Sequence, residues 1–140
     1  MRSTEPNGLT VQSPVSTRSI VADAHGMRIE AERRPDEVVL AHITGEIDLL
    51  SAPELRKWVQ EVGTRAGGLV LDFDDVGFLG SAGLSVLAEL AEKSVLDQLN
   101  WAIVATSRVV LRPLEATGLV VQMPVYASVD AAIDAVVMGA

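Results

Sequence analysis

Hydrophobic and polar residues alternate along Met27–Arg33 (MRIEAER), which predicts a strand with one face buried and one face in water. The segment Val38–Thr44 (VVLAHIT) is more apolar and predicts a second strand. Four residues typical of a turn, Arg34–Glu37 (RPDE), separate the two segments. A connection this short favours an antiparallel hairpin.

The spacing of apolar residues becomes helical after Ser51, which predicts a helix that ends at the Gly67–Gly68 pair. The apolar positions recur at intervals of three and four residues: Leu55, Val59 and Val62. Pro53 fits the first turn of this helix. Glu54 stands three residues after Ser51, and this spacing predicts a capping box between them.

The short apolar run Leu69–Phe73 predicts a central strand, and Asp74–Gly80 then has the composition of a loop. A second helix is predicted from Ser81 onward. Its expected buried face consists of Leu84, Leu87, Ala88, Ala91 and Val95. The rest of the chain predicts a strand at Trp101–Ala105, a helix at Ser107–Ala116 ended by Gly118, a strand at Val120–Tyr126 and a last helix capped by Ser128.

This order of elements predicts an α/β fold with a small mixed, mostly parallel sheet of about five strands and about four helices packed on it. The chain has 140 residues, and 49% of them are hydrophobic, which is enough for one domain with a real core. Residues 1–26 are rich in Ser, Thr, Pro and Gly and lack periodicity. We therefore expect a flexible N-terminal tail at 1–26 and a single domain at 27–140.

The formal net charge of −8 falls entirely on residues 27–140, because Arg2 and Arg18 balance Glu5 and Asp23 in the preceding segment. An acidic domain repels phosphate backbones and anionic lipid surfaces, so direct binding to nucleic acid is not expected. A protein partner with basic or mixed charge fits better. The sequence has no cysteine, no apolar run of about 18 residues and no signal-type segment, so we expect a cytoplasmic protein without membrane insertion.

Ser81 lies between Gly80 and Gly83 where the apolar strand gives way to a helix, and two roles are open for it. It can cap the helix, since serine is a favoured N-cap residue. It can also be a modification site, because a phosphate there would lie beside the free N–H groups of the first helical turn.

Enzymatic alternatives at Ser81 lack necessary residues. A nucleophile elbow of G-x-S-x-G type needs glycine where Leu79 stands. The possible bases are His25, in the predicted tail, and His42, in a predicted strand. A P-loop is excluded because the glycine-rich segment has no lysine.

Three carboxylates precede this turn, namely Asp72, Asp74 and Asp75. Their positions fit a strand and a turn better than a Mg²⁺ site, so neither a metal nor another cofactor is expected. Trp58 and Trp101 occupy helix and strand positions that favour packing over ligand binding.

The segments ITGEIDLLSAPELRKWV and LVLDFDDVGFLGSAGLSVLAEL, about thirty residues apart, together resemble the STAS domain of bacterial anti-sigma factor antagonists. The segment RVVLRPLEATGL is similar to a later part of that family. The resemblance covers about residues 27–138. It implies partner switching: the unphosphorylated antagonist binds an anti-sigma factor that is also a serine kinase, and so frees a sigma factor. Phosphorylation by that kinase ends the binding, and a phosphatase restores it.

The serine of the family motif matches Ser81, and the aspartate of its G-E-I-D segment matches Asp48. The resemblance therefore implies phosphorylation at Ser81 and a partner-binding set of Asp48, Gly80, Ser81, Ala82, Gly83, Leu84 and Ser85. Two positions depart from the family pattern. Gly80 replaces the usual acidic residue, which puts the efficiency of phosphorylation in question, and Ala82 replaces a second hydroxyl residue.

Two other functions stay open. Within the fold, STAS domains also serve as subunits of membrane ABC-type transporters, for example for lipids. A serine hydrolase that uses Ser81 is the alternative of a different class. The oligomeric state is left open.

Overall fold

A computed structural model of the chain describes residues 17–61 and 65–139. Six strands make up its sheet: β1 (Thr17–Ala24), β2 (Met27–Arg33), β3 (Val38–Ile47), β4 (Gly68–Leu79), β5 (Trp101–Val104) and β6 (Val125–Tyr126). The helices are α1 (Ala52–Glu61), α2 (Ser81–Asp97), α3 (Arg108–Ala116) and α4 (Val129–Gly139), with a 3₁₀ turn at Leu119–Val121.

The six strands lie side by side in chain order. The first three form an antiparallel meander, and β3 to β6 run parallel to one another with a helix in each crossover. The predicted hairpin of β2 and β3 is therefore confirmed, as is the mixed α/β sheet with four helices. Within the described residues, the sheet has six strands instead of the expected five or so.

Helices cover both faces of the sheet. Alternate residues of its central strands point to opposite sides, so each face contributes apolar side chains to a core. The larger core packs α1, α2 and α3 against one face and includes the fully buried Ile43 and Phe73. The smaller core packs α4 against Val38, Leu40 and Val70 on the other face. Burying one such side chain stabilises the fold by about 1.5–3 kcal/mol. Trp58 and Trp101 also belong to the larger core, as predicted.

Strand β1 occupies part of the segment that the sequence assigns to a tail. Residues 17–24 pair antiparallel with β2 over its whole length, so the prediction of a tail is wrong for this stretch. The signal is weak because β1 is an edge strand: within 19–24, Ile20 and Val21 are exposed and Ala22 packs on the core. The remaining part of the predicted tail, 1–16, lies outside the described residues.

Strand β4 continues through the stretch that the sequence predicts as a loop, Asp74–Gly80. Its pairing with β3 skips one residue between Asp72 and Asp75 and another between Val76 and Phe78. Each skip is a β-bulge, which disturbs the alternation of buried and exposed side chains. The buried residues Phe73, Val76 and Leu79 are consequently three positions apart, and a period of three does not indicate a strand.

Two other predictions need correction. In α2, Val95 is exposed, and the buried face consists of Gly83, Val86, Leu87, Leu90 and Ser94. The predicted strand Val120–Tyr126 is reduced to its last two residues, because the chain first makes the 3₁₀ turn. The cap of α4 is confirmed, since the Ser128 hydroxyl accepts the Ala131 N–H at 3.1 Å. Val62, predicted in the stripe of α1, lies outside the described residues.

The turn between β1 and β2 is fixed against the end of β3. The Gly26 carbonyl oxygen accepts the N–H of Glu46 at 3.0 Å. Gly45 has φ +90°, and a Cβ there would overlap that same carbonyl oxygen. Glycine is required at position 45 both for its backbone conformation and for this close approach.

We predict that Gly45→Ala destabilises the protein more than Gly118→Ala does. Gly118 is the matched control, because its φ is +77° but nothing lies within 4 Å of its missing Cβ. The control should cost about 1–2 kcal/mol, for the left-handed backbone alone. Gly45→Ala should cost about 1–3 kcal/mol more, since it also overpacks. Urea unfolding measures both free energies, and equal losses would contradict the close contact at Gly26.

Candidate functional site

The candidate site lies where the neighbouring parallel strands β3 and β4 end. Glu46 pairs with Phe78 and Ile47 with Leu79. Beyond these pairs, the N–H of Gly80 donates to the Ile47 carbonyl oxygen at 2.9 Å. Asp48 and Ser81 are the next residues on the two chains, so the sheet brings the G-E-I-D segment and the serine turn to one edge. Loops beyond the carboxyl ends of parallel strands are the usual ligand-binding positions of α/β sheets.

The loop Asp48–Ser51 is held by a reciprocal pair of side chains. Asp48 Oδ1 accepts the N–H groups of Leu50 at 2.9 Å and Ser51 at 3.0 Å. The Ser51 hydroxyl accepts the Asp48 N–H at 2.9 Å and donates to the Glu46 carbonyl oxygen at 2.7 Å. Ser51 is fully buried. The predicted capping box is wrong, because this hydroxyl closes the loop and the Glu54 N–H donates to the Ser51 carbonyl instead.

Asp48 remains ionised in this loop. The hydrogen bond from the Ser51 N–H lowers the pKa of its carboxyl most, and desolvation opposes this effect. The Leu50 N–H and the Ser51 hydroxyl add smaller lowering effects, so the net shift of the pKa is downward. The charge of His25 contributes to the same lowering of the Asp48 pKa. His25 occupies the β1–β2 turn instead of the predicted tail, and so stands at this edge of the sheet.

Ser81 is the first residue of α2, and the N-cap of this helix is Gly80. Of the two roles left open for Ser81, the capping role is not the one observed: helical geometry starts one residue too early for its hydroxyl to act as the N-cap. The side chain is exposed, and no hydrogen bond of its hydroxyl occurs within the described residues. Ser85, one turn later, donates its hydroxyl proton to the Ser81 carbonyl oxygen at 3.1 Å.

Gly83 lets the first turn of α2 approach the strand ends. A Cβ at this position would lie 2.6 Å from Cγ2 of Ile47 and 2.7 Å from Cδ1 of Leu79, two buried side chains. Its neighbours Ala82 and Leu84 are half-buried beside the larger core. The close contact at Gly83 thus fixes the position of Ser81 relative to Ile47 and Asp48.

Three large apolar side chains at this edge are exposed, and the sequence gives no prediction for them. Leu49 is 79% exposed, Leu50 64% and Phe78 50%. Leu49 and Leu50 follow β3, and Phe78 precedes Gly80 on β4. Adjacent leucines in a segment otherwise typical of a loop are the one signal that could have indicated them. Exposed apolar groups close together are a common feature of protein-binding surfaces.

Two of the three aspartates considered for a metal, Asp72 and Asp74, have other partners. Asp72 accepts the Asp74 N–H and contacts Nδ1 of His42 at 3.0 Å. Asp74 accepts both the N–H and the hydroxyl of Thr106, at 2.7 and 3.0 Å. Across residues 17–61 and 65–139, no group of three His, Asp or Glu side chains is arranged to hold a metal ion.

The histidines also bear on the hydrolase alternative. His42 lies five residues before the end of β3, about 16 Å along the strand from the serine edge, and it contacts Asp72 and Glu32. His25 is at the same edge as Ser81, but no hydrogen bond joins the two among the described contacts. Within the described residues, neither imidazole is hydrogen-bonded to Ser81 as the base of a hydrolase would be.

Comparison with known proteins gives consistent matches. One family description, that of the STAS domain, matches residues 28–132. The chain is 34% identical over 110 residues to the anti-sigma-F factor antagonist RsfB of Mycobacterium tuberculosis (strain ATCC 25618 / H37Rv), covering 78% of this chain and 80% of the relative.

Solved structures agree with these matches. An anti-sigma factor antagonist from Mycobacterium paratuberculosis has 31% identity and a TM-score of 0.65, with 90% of this chain and 98% of the other covered. The anti-sigma factor antagonist SpoIIAA in its unphosphorylated form shares the fold at 16% identity, with a TM-score of 0.61 and coverage of 74% and 91%. This chain therefore belongs to the STAS domain family, and it groups with the anti-sigma factor antagonists of that family.

Proposed function

We propose that this protein is a partner-switching antagonist that binds an anti-sigma factor with serine kinase activity and thereby frees a sigma factor. The kinase ends the binding by phosphorylating Ser81, and a phosphatase restores it by hydrolysing the phosphoserine. The antagonist is a substrate and a binding module in this cycle, without catalytic activity of its own. The observation that carries the proposal is the exposed hydroxyl of Ser81, which forms no hydrogen bond to any described residue. It lies on the first residue of α2, next to the Asp48 loop.

A kinase can reach this hydroxyl without unfolding the antagonist. Transfer of the γ-phosphoryl group from ATP forms a bond to Ser81 Oγ, the hydroxyl proton leaves, and ADP is released. The product carries about 1.5–2 negative charges at the first turn of a helix, where free N–H groups and the helix dipole favour an anion. Phosphorylation is therefore expected to leave the fold intact and to alter the surface.

The altered surface explains the loss of binding. Glu46 and Asp48 already make this edge negative, and an acidic domain fits a partner with basic groups. The phosphate adds charge and bulk in the middle of the proposed interface, which comprises the loop 45–52 and the residues Gly80–Ser85. Shape complementarity at such a surface tolerates little added bulk.

The cytoplasm, where sigma factors and ATP are found, is the proposed location. None of the helices in the described part of the chain is long and apolar enough to cross a membrane.

The first prediction concerns the modification itself. After incubation with ATP and each anti-sigma factor kinase encoded in the same genome, the intact protein should gain the mass of one phosphate with one of these kinases. Ser81→Ala should abolish the gain, and Ser85→Ala should keep it, because the Ser85 hydroxyl is bonded to the Ser81 carbonyl. Intact-mass spectrometry measures all three proteins.

Other outcomes would change the assignment. A phosphate gained by Ser81→Ala would place the modification elsewhere. Tight binding of a kinase without any gain would mean an antagonist regulated by other means. Neither binding nor gain with any kinase would favour the transporter-subunit function.

The second prediction separates loss of the hydroxyl from gain of charge. Ser81→Ala should bind the same kinase within about twofold of wild type. Ser81→Asp should bind at least tenfold more weakly, because only this variant adds bulk and a charge that is buried without a partner at the centre of the interface. Isothermal titration calorimetry gives both affinities, and thermal unfolding checks that both variants fold. Equal affinities of the two variants would contradict a phosphorylation switch at Ser81.

The third prediction concerns the charge of Asp48. Asp48→Asn retains an oxygen for the N–H groups of Leu50 and Ser51, so the loop should keep its shape while losing one negative charge. We expect several-fold weaker binding at pH 7. The pKa of Asp48 is lowered, so wild-type binding should persist as the pH falls to the ordinary aspartate range and decline only below it. Unchanged affinity of Asp48→Asn would show that the carboxylate is not a contact.

A further inference from the structure

Gly80 has an ordinary backbone conformation, so the absence of a side chain there needs another explanation. Its φ of −91° and ψ of 179° are open to any residue. The space beside it is not open: a Cβ would lie 3.0 Å from Cε2 and 3.3 Å from Cζ of Phe78. A side chain at position 80 would therefore press on the ring of Phe78, which would have to move by a few tenths of an ångström.

Phe78 is half exposed in this position, although a phenylalanine ring gains most from full burial. Its ring lies beside Gly80, the residue before Ser81. Aromatic side chains are enriched among the residues that dominate binding energy at interfaces. Leu49 and Leu50, still more exposed, follow the end of the neighbouring strand.

Negative charge borders these apolar side chains. Glu46 is the cross-strand partner of Phe78, and Asp48 directly precedes Leu49. Neither carboxylate forms a salt bridge to any side chain in the described parts of the chain. The surface that fits them is therefore apolar at its centre and basic at its margin.

We propose that Phe78 and Gly80 act as one unit that anchors the anti-sigma factor at this edge of the sheet. Phe78 inserts into an apolar recess of the anti-sigma factor, basic side chains around the recess meet Glu46 and Asp48, and Gly80 leaves room for the ring in that position. This inference rests on the proposed function and adds to it a binding residue outside the serine turn.

A double-mutant cycle tests the unit. Phe78→Ala, Gly80→Ala and the double variant are titrated calorimetrically against the anti-sigma factor kinase that binds wild type. Leu96→Ala is the control, because Leu96 is also an exposed apolar residue, at 77%, and lies at the far end of α2 from Ser81. Thermal unfolding of each variant accounts for changes in stability, including the weaker N-cap that alanine makes.

We expect Phe78→Ala to lower the affinity at least tenfold and Leu96→Ala to change it less than twofold. Gly80→Ala should lower the affinity in the wild-type background, because the methyl group displaces the ring, and should cause no further loss once Phe78 is alanine. A Phe78→Ala variant that binds within twofold of wild type would overturn the inference and leave the proposed function standing. An equal loss from Gly80→Ala in both backgrounds would overturn the coupling. If wild type binds none of the kinases, both proposals fail together.

Discussion

The parallel pairing of β3 with β4 is the constraint on which the candidate site depends. Its last hydrogen bond joins the Gly80 N–H to the Ile47 carbonyl oxygen, and it places Asp48 and Ser81 beside each other although they are 33 positions apart in sequence. Every later feature of the site follows from this juxtaposition. The Asp48 loop, the start of α2 and the exposed apolar side chains all take their positions from the ends of these two strands.

Two β-bulges determine which side chains of β4 are buried and which are exposed at this edge. Each extra residue in β4 turns the next side chain to the other face, so that Leu79 enters the core while Phe78 remains on the surface. Bulges next to functional sites commonly re-aim side chains in this way. In this protein they combine a buried anchor for α2 with an exposed aromatic ring one residue before it.

Close packing around glycines completes the edge. The missing side chain of Gly45 leaves room for the carbonyl of the β1–β2 turn. That of Gly83 leaves room for the side chains of Ile47 and Leu79, and that of Gly80 leaves room for the ring of Phe78. The contacts at Gly45 and Gly83 hold two turns against the strand ends, which makes the loop and the serine turn a preorganised surface. Preorganisation lowers the entropy lost on binding a partner, and it therefore supports the proposed role as a binding module.

The sequence by itself determined the order of helices and strands, the hairpin of β2 and β3, and the family. These features depend on local periodicity and on short motifs such as GEID and the serine turn. Only the tertiary structure decided the edge strand β1, the continuation of β4 through its bulges and the inward face of α2. Each of these three features depends on pairing or packing with residues distant in the chain. The alternation and helical spacing of apolar residues therefore do not predict them.

The same division holds within the site. The sequence identified Ser81 and Asp48 as the residues of interest, because the motif that contains them is local. It did not distinguish a capping serine from an exposed one, because that depends on the single residue at which helical geometry begins. Nor did it indicate Phe78, Leu49 and Leu50, since exposure of an apolar side chain is a property of the folded surface and is absent from the pattern of the chain.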